Sequence, residues 1–208
     1  MSGIARVQPE ATLHPGKLEL LAQWLPDQWW FDGDPSDLEI VAKFRFVDPD
    51  DVVGLDCMLV RSTDAIYHIP VTWRPHPLDG GALIGTLQHS ELGTRYCYDA
   101  QTDPVYLDEL VRVIREKDSD ADIVEAGKDT PCPKNIKVFG SGLVADGVVV
   151  SQEGARLDAT VYTYCQGVVL GAELEVMGAD SPRRIADLVS AIWRHLTDPD
   201  GVIAGQGG

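Results

Sequence analysis

Strand-like alternation of apolar and polar residues in three consecutive segments is the strongest constraint on this fold. Residues 38–47, 53–61 and 65–74 each place apolar side chains at every second position, and short turns rich in Asp, Pro or Ser separate them. The first apolar series is Ile40, Ala42, Phe44 and Phe46. Pro70 within the third segment indicates an edge or a bulge. Two shorter candidates at 82–87 and 95–98 complete a predicted five-stranded meander.

Two helices flank these strands. Residues 16–24 have helical spacing that places Leu18, Leu21 and Ala22 on one face, and Pro26 ends that helix. Residues 105–117 have apolar positions at helical spacing, namely Leu107, Leu110, Val111 and Ile114. The second helix is predicted to cover the sheet.

The second half repeats the order of strands followed by a helix. Strands are predicted at 136–144, 148–152, 155–165 and 168–177, with a hairpin turn at Asp146-Gly147. A final helix begins near Ser181-Pro182 and continues to Leu196. The pattern predicts an α+β fold with antiparallel sheets, each covered by a helix. We predict domains at 1–117 and 136–208, joined by an acidic, Pro/Gly-rich linker at 118–135; alternatively, the two units pack together as one domain.

The charge balance excludes some classes of partner. The chain has 208 residues, with 17 Lys and Arg against 33 Asp and Glu, for a net charge of −16. Binding to nucleic acid or to an anionic membrane requires clustered basic residues, so neither partner is expected. No apolar run is long enough for a membrane span and no signal peptide is recognisable, so a cytoplasmic location is expected. Cys57, Cys97 and Cys165 are predicted core residues of strands, and Cys132 lies in a loop.

The sequence contains no recognisable catalytic or metal-binding pattern. The five histidines lack metal-ligand spacing, and His68 is interpreted as a satisfied or solvent-exposed sheet residue. Asp99 and Asp103 flank a helix entrance, where capping of backbone amides explains both. No nucleophile motif is present. We therefore predict no catalytic residue, no metal site and no cofactor.

An aromatic stretch, residues 21–31, contains three of the five tryptophans: Trp24, Trp29 and Trp30. Such clusters in small domains are usually part of the core, and this one is predicted to close the end of a sheet. The alternative is an exposed aromatic platform for a sugar or a partner protein.

Three motifs in order and spacing carry a family resemblance. They are Leu25-Pro-x-Gln28-x-Trp30-Phe31, then Tyr67-x-Ile69-Pro70-Val71-x-x-Arg74, then Tyr98-Asp99-Ala100-x-x-Asp103-Pro104. Together they resemble the N-terminal cap of actinobacterial maltokinases, over about residues 18–114. The resemblance implies a cystatin-like sheet packed with helices, placed ahead of a kinase fold and supplying no catalytic residue. Trp29 stands where the family usually has Arg, and Gly33 and Asp34 stand where a Lys is usual.

The remaining half does not resemble the kinase that follows such a cap. Gly140-Ser141-Gly142 is the nearest approach to a phosphate loop, and no Gly-Lys-Ser/Thr follows it. The leading hypothesis is a non-catalytic binding or regulatory protein of maltose, trehalose or glycogen metabolism, whose partner is an enzyme or a sugar. A small-molecule or glucan binder and an unrecognised enzyme are the alternatives. The predicted ligand or partner surface comprises Trp29, Trp30, Arg74 and Asp99.

Overall fold

The computed structural model describes residues 3–28, 31–63, 65–134, 136–144, 151–152, 158–165 and 168–175. These residues form an α+β fold in which most strand pairs are antiparallel, as the sequence predicts. The helices are α1 (Lys17–Trp24) and α2 (Pro104–Glu116). The strands are β1 (Ile4–Val7), β2 (Leu13–His14), β3 (Leu38–Val47), β4 (Gly54–Ser62), β5 (Ala65–Arg74), β6 (Leu83–His89), β7 (Gly93–Asp99), β8 (Asp122–Glu125), β9 (Lys137–Val144), β10 (Ser151–Gln152), β11 (Asp158–Cys165) and β12 (Val168–Glu175).

The largest sheet has six strands in the order β2-β6-β7-β5-β4-β3. The prediction of a simple meander is wrong at one point, because β5 pairs with β7 while β6 lies outside β7. The loop between Arg74 and Leu83 is long enough to carry the chain past β7. The β5–β7 ladder begins at Val71, so Pro70 lies just beyond it on that side of β5. A residue without an N–H is tolerated there. The prediction of an edge strand or a bulge at Pro70 is wrong, because β5 lies between β7 and β4 and pairs with β4 through Pro70 without a register shift.

Strand β4 lies in the interior of the sheet and is buried on both faces. One face packs under α2 and forms the α2-side core, which includes Phe44, Phe46, Leu55, Cys57 and Tyr106. The other face packs under α1 and forms the α1-side core, which includes Leu21, Met58, Tyr67, Ile69 and Trp73. The alternating residues of one strand therefore supply two separate cores.

A bulge in β3 divides its apolar residues between the two cores. Ile40 pairs with Val60 and Ala42 pairs with Leu59, so Val41 is an extra residue on β3. An extra residue reverses the side to which the following residues point. Ile40 consequently packs against the α1-side core while Ala42 belongs to the α2-side core. The prediction that both share one face is wrong for this reason.

Helix α1 follows the predicted bounds closely. The backbone N–H of Gly16 donates to Glu19 Oε2 at 2.7 Å, which satisfies one amide at the helix start. The helix ends at Trp24, and Pro26 sits in the 3₁₀ turn Leu25–Asp27 that follows. Leu20 and Leu21 are the buried residues of the helix, although the sequence pattern selected Leu18 and Ala22 together with Leu21.

The segment predicted as a linker contains strand β8, which pairs in parallel with β1. Beyond it, β9 joins the four-stranded sheet β10-β11-β12-β9, and α2 packs against β9 and β12. Ile136 and Val138 belong to the α2-side core. The predicted turn at Asp146-Gly147 and the predicted helix from Ser181 onwards lie outside the described residues.

Candidate interaction surface

Of the four predicted surface residues, Arg74 and Asp99 lie in the described structure. Trp29 and Trp30 fall outside the described residues. Arg74 is the last residue of β5 and pairs opposite Tyr96, while Asp99 is the last residue of β7 and pairs opposite Val71. The ladder between β5 and β7 therefore has Arg74 and Asp99 at its opposite ends, three residues apart along the strands, and does not bring them together.

Arg74 is held by a two-bond ion pair with Asp103. Arg74 Nε donates to Asp103 Oδ2 and Arg74 Nη2 donates to Asp103 Oδ1, both at 2.7 Å. The Asp103 side chain is fully buried, and 18 % of the Arg74 side chain is exposed. This fork geometry fixes the orientation of the guanidinium as well as its charge.

Asp103 also connects β5 to the start of α2. Its Oδ2 accepts a hydrogen bond from Thr72 Oγ1 at 2.7 Å, and its Oδ1 accepts one from the Val105 N–H at 3.0 Å. Burial alone would raise the pKa of Asp103, but the hydrogen bonds from Arg74 and Thr72 outweigh it and the pKa is lowered. The predicted capping role of Asp103 is confirmed, and four donors occupy its two oxygens.

Asp99 caps the 3₁₀ turn Ala100–Thr102. Its Oδ1 accepts a hydrogen bond from the Gln101 N–H at 3.1 Å, so the predicted capping role is confirmed here too. Burial raises the pKa of this carboxyl. The arrangement explains Asp99 as a structural residue and leaves its role toward a ligand or partner as a prediction.

The described leucine and aromatic residues of the stretch, Leu21, Trp24, Leu25 and Phe31, belong to the core or pack against it. Leu25 is fully buried, and Trp24 and Phe31 pack against the α1-side core. The Phe31 ring lies 5.0 Å from the Tyr67 ring, and Tyr67 Oη donates to Asp32 Oδ1 at 2.5 Å. The core interpretation is therefore confirmed for the residues on both sides of Trp29 and Trp30.

A second buried carboxylate, Asp56, was not selected by the sequence reasoning. It lies on β4 opposite Arg45 of β3, with Arg45 Nε 2.6 Å from Asp56 Oδ1. Lys17 Nζ of α1 and Trp73 Nε1 of β5 donate to Asp56 Oδ2 at 2.5 and 2.9 Å. Burial would raise the pKa of Asp56, but Lys17 and Arg45 outweigh it and the pKa is lowered. An acid within an otherwise apolar strand, opposite an arginine, was the available signal.

His68, Cys57 and Cys97 are buried. His68 stacks on Phe44 with ring centroids 6.0 Å apart, and burial lowers its pKa to about 4. The imidazole is thus neutral near pH 7. Cys57 and Cys97 are buried as predicted, and burial raises the pKa of both thiols. Inert, protonated thiols are typical of core cysteines.

Charged groups also organise the segment after α2. Arg112 pairs with Glu109, Glu116 and Asp118, and it borders a cavity of about 230 Å³ that Gly3, Val47 and Pro49 also line. Nearby, Lys134 pairs with Asp120 and Asp122. These pairs explain how an acid-rich segment packs against the helix.

Two kinds of feature are absent from the described part of the chain. It contains no grouping of three or more His, Cys, Asp or Glu side chains that could ligate a metal ion. Neither of its helices has the length and hydropathy that a bilayer crossing requires.

The described residues form an α+β fold in which the buried carboxylates of Asp56 and Asp103 are paired with neighbouring side chains. Residues 24–103 match the family model of the maltokinase N-terminal cap domain, so this part of the chain is similar to that domain. The match covers less than half of the 208 residues and lies within the stretch that carries the sequence resemblance. Comparisons with curated proteins and with solved structures found no match.

Proposed function

We propose that this protein is a non-catalytic binding or regulatory partner in the metabolism of maltose, trehalose or glycogen. In this role it docks a separate cytoplasmic enzyme of that metabolism. The observation that carries the proposal is a cap-like segment whose buried carboxylates are committed to structural bonds. Asp103 accepts from four donors, and Asp56 is tied to three neighbouring elements.

A general base or nucleophile needs an oxygen that can reach a substrate. The oxygens of Asp103 and Asp56 instead hold α2 and α1 on the sheet, and their lowered pKa values keep both carboxylates ionised. A rigid cap whose charged groups are satisfied internally is well suited to presenting a surface to a partner. The docking surface proposed here surrounds Trp29, Trp30 and Arg74.

The test mixes the purified full chain with purified candidate enzymes of sugar metabolism. Calorimetry measures binding, and an activity assay measures the effect of binding on each enzyme. We expect one enzyme to bind and its activity or substrate dependence to change. The double variant Trp29→Ala/Trp30→Ala should weaken binding at least tenfold. Thr130→Ala, an exposed and uncharged substitution in the loop after β8, is the matched control and should leave binding unchanged.

Thermal shift separates this role from an enzymatic one. A ligand at a hundred times its dissociation constant adds about 2.7 kcal/mol to stability, which corresponds to roughly 5–10 °C for a chain of this size. A shift of that size with ATP and magnesium, together with phosphate transfer to a sugar, would contradict the non-catalytic proposal.

A further inference from the structure

One face of the β6–β7 hairpin exposes uncharged side chains that can form hydrogen bonds. Thr86 pairs with Tyr96 and Gln88 pairs with Thr94, and residues paired across two strands project to the same face. Thr86, Gln88 and Thr94 are exposed, and Tyr96 is partly buried. These four residues define the β6–β7 face.

Residues that pair with one another across adjacent strands form a row, and the rows next to these four residues set the limits of the β6–β7 face. Arg74 pairs opposite Tyr96 on β5 and is already held by Asp103. In the adjacent row Tyr98 is only 3 % exposed, and the Leu78 N–H donates to its hydroxyl at 2.8 Å. Leu83, opposite Tyr98, is 51 % exposed. The face therefore runs from an apolar end at Leu83 to an amide and hydroxyl end at Gln88 and Thr94.

The charge of this face distinguishes it from the rest of the chain. In a protein of net charge −16, the rows that contain Thr86, Gln88 and Tyr96 include no acid and one Lys or Arg, namely Arg74, whose charge is matched by Asp103; His14 of β2 pairs opposite Gln88. Recognition of a phosphate or carboxylate depends on cations that can pair with it. A neutral face with amide, hydroxyl and aromatic groups instead matches a neutral polyhydroxyl ligand.

The polar groups on this face are also held in position before a ligand arrives. Gln88 Nε2 donates to Thr94 Oγ1 at 3.0 Å, and the Thr94 hydroxyl lies 3.2 Å from Gln88 Oε1. Side chains fixed on strands lose less conformational entropy on binding than side chains on loops. Two residues along a strand span roughly 7 Å, so the face can contact one or two rings of a sugar chain.

We propose that the β6–β7 face binds a neutral glucan chain, with the Tyr96 ring packing on the C–H face of a sugar and Gln88, Thr86 and Thr94 hydrogen bonding to its hydroxyl groups. The choice of a glucan among neutral polyhydroxyl ligands rests on the proposed function in sugar metabolism.

The test is electrophoresis of the folded full chain in native gels with and without glycogen, followed by calorimetry with maltoheptaose. Glycogen should retard the wild-type protein and the Thr130→Ala control equally. Tyr96→Ala should raise the dissociation constant for maltoheptaose about tenfold, since an aromatic contact of this kind contributes up to about that factor. Gln88→Ala should weaken binding severalfold without affecting the fold, which circular dichroism checks for both variants.

The possible results distinguish failure of glucan binding at the β6–β7 face from failure of the proposed enzyme-docking function. Absence of retardation by glycogen, or equal affinity of wild type, Tyr96→Ala and Gln88→Ala, overturns glucan binding at this face. Binding of maltose-6-phosphate in preference to maltoheptaose also overturns it, because the ligand would then be an anion. If glucan binding fails in any of these ways and the enzyme partner still binds, the proposed docking function is retained and only the glucan site is rejected. If glucan binds and no enzyme does, glucan binding at the β6–β7 face is supported and the docking function is rejected.

Discussion

Asp103 and Arg74 join the start of helix α2 to the end of strand β5 through two parallel hydrogen bonds of 2.7 Å. The carboxylate is fully buried and also accepts from Thr72 and from the Val105 backbone. A single side chain therefore serves as helix cap, strand contact and counter-ion. Loss of its charge should disturb all three interactions together.

Asp103→Asn should lower the free energy of unfolding by about 3 kcal/mol, because removing one partner of a buried ion pair leaves the other uncompensated. Chemical denaturation of the purified protein measures the loss. Asp99→Asn is the matched control, since Asn also caps well and this carboxylate caps a single turn. A loss below about 1 kcal/mol for Asp103→Asn would show that the pair is not an important stabilising contact.

Substitutions of Asp56 and of its partner Lys17 should destabilise the protein to different extents. Asp56→Ala should destabilise the protein by about 3–5 kcal/mol, because Arg45 and Trp73 then lose a buried acceptor. Lys17→Ala should cost about 1 kcal/mol, because the Lys17 side chain is 32 % exposed and Arg45 still neutralises the carboxylate. Chemical denaturation of the two single variants and the double variant gives the unfolding free energies for a double-mutant cycle. Equal losses for the two single variants would contradict this ranking.

Much of the sheet could be predicted from the sequence because alternation has a direct physical cause. Strand β4 alternates between two apolar faces, and the bounds of β3, β5 and α2 follow within a residue or two. The β3 bulge and the placement of β6 outside β7 could not be predicted, since both depend on pairing between strands rather than on local pattern. Strands β1, β2 and β8 were missed because two to four residues carry no readable periodicity.

The candidate site was predictable only in part. Asp99 and Asp103 were recognised as caps from their position before a helix, whereas the bond from Asp103 to Arg74 joins residues 29 positions apart. The exposed β6–β7 face was missed because Thr86, Gln88 and Thr94 have ordinary strand composition, and their exposure depends on which strands the helices cover. Sequence pattern identifies a buried face more readily than a functional one.

His68 should make stability depend on pH between about 4 and 6.5. Its pKa is lowered to about 4 in the folded protein, so the unfolded chain binds the proton first as pH falls below the ordinary histidine value of 6.5. Stability is therefore fully present above pH 6.5 and is lost as pH falls, by at most about 3 kcal/mol. Unfolding free energies of wild type and His68→Gln across this range measure the effect. The variant should lack this slope, and equal slopes would contradict the prediction.

Asp56 and Asp103 should act in a lower pH window than His68. Both have pKa values lowered below the ordinary aspartate value of 3.8, so their contribution to stability is present above that pH and is lost as pH falls through the lowered values. The His68→Gln variant should therefore retain the steep loss of stability below about pH 4. If the unfolding free energy of the wild type fell only below about pH 4, with no decrease between pH 6.5 and 4, the buried, neutral state of His68 would be contradicted.

Gly33 should not tolerate a side chain. A Cβ atom there would lie 2.4 Å from Ser62 Oγ and 2.7 Å from Ser62 Cβ. Ser62 is fully buried and is bonded to both the N–H and the carbonyl of Asp34, so it cannot move aside without breaking those bonds. Gly33→Ala should lower the free energy of unfolding by about 1–3 kcal/mol, measured by chemical denaturation.

Gly16 provides the matched control for this substitution. Its backbone is extended, a Cβ would meet only Glu19 Oε2 at an ordinary 3.6 Å, and the residue is the N-cap of α1. Gly16→Ser should raise stability by about 0.5 kcal/mol, because Ser caps slightly better than Gly and restricts the unfolded chain. Equal effects of the two substitutions would mean that the contact between Gly33 and Ser62 does not limit the packing of the segment after the aromatic stretch.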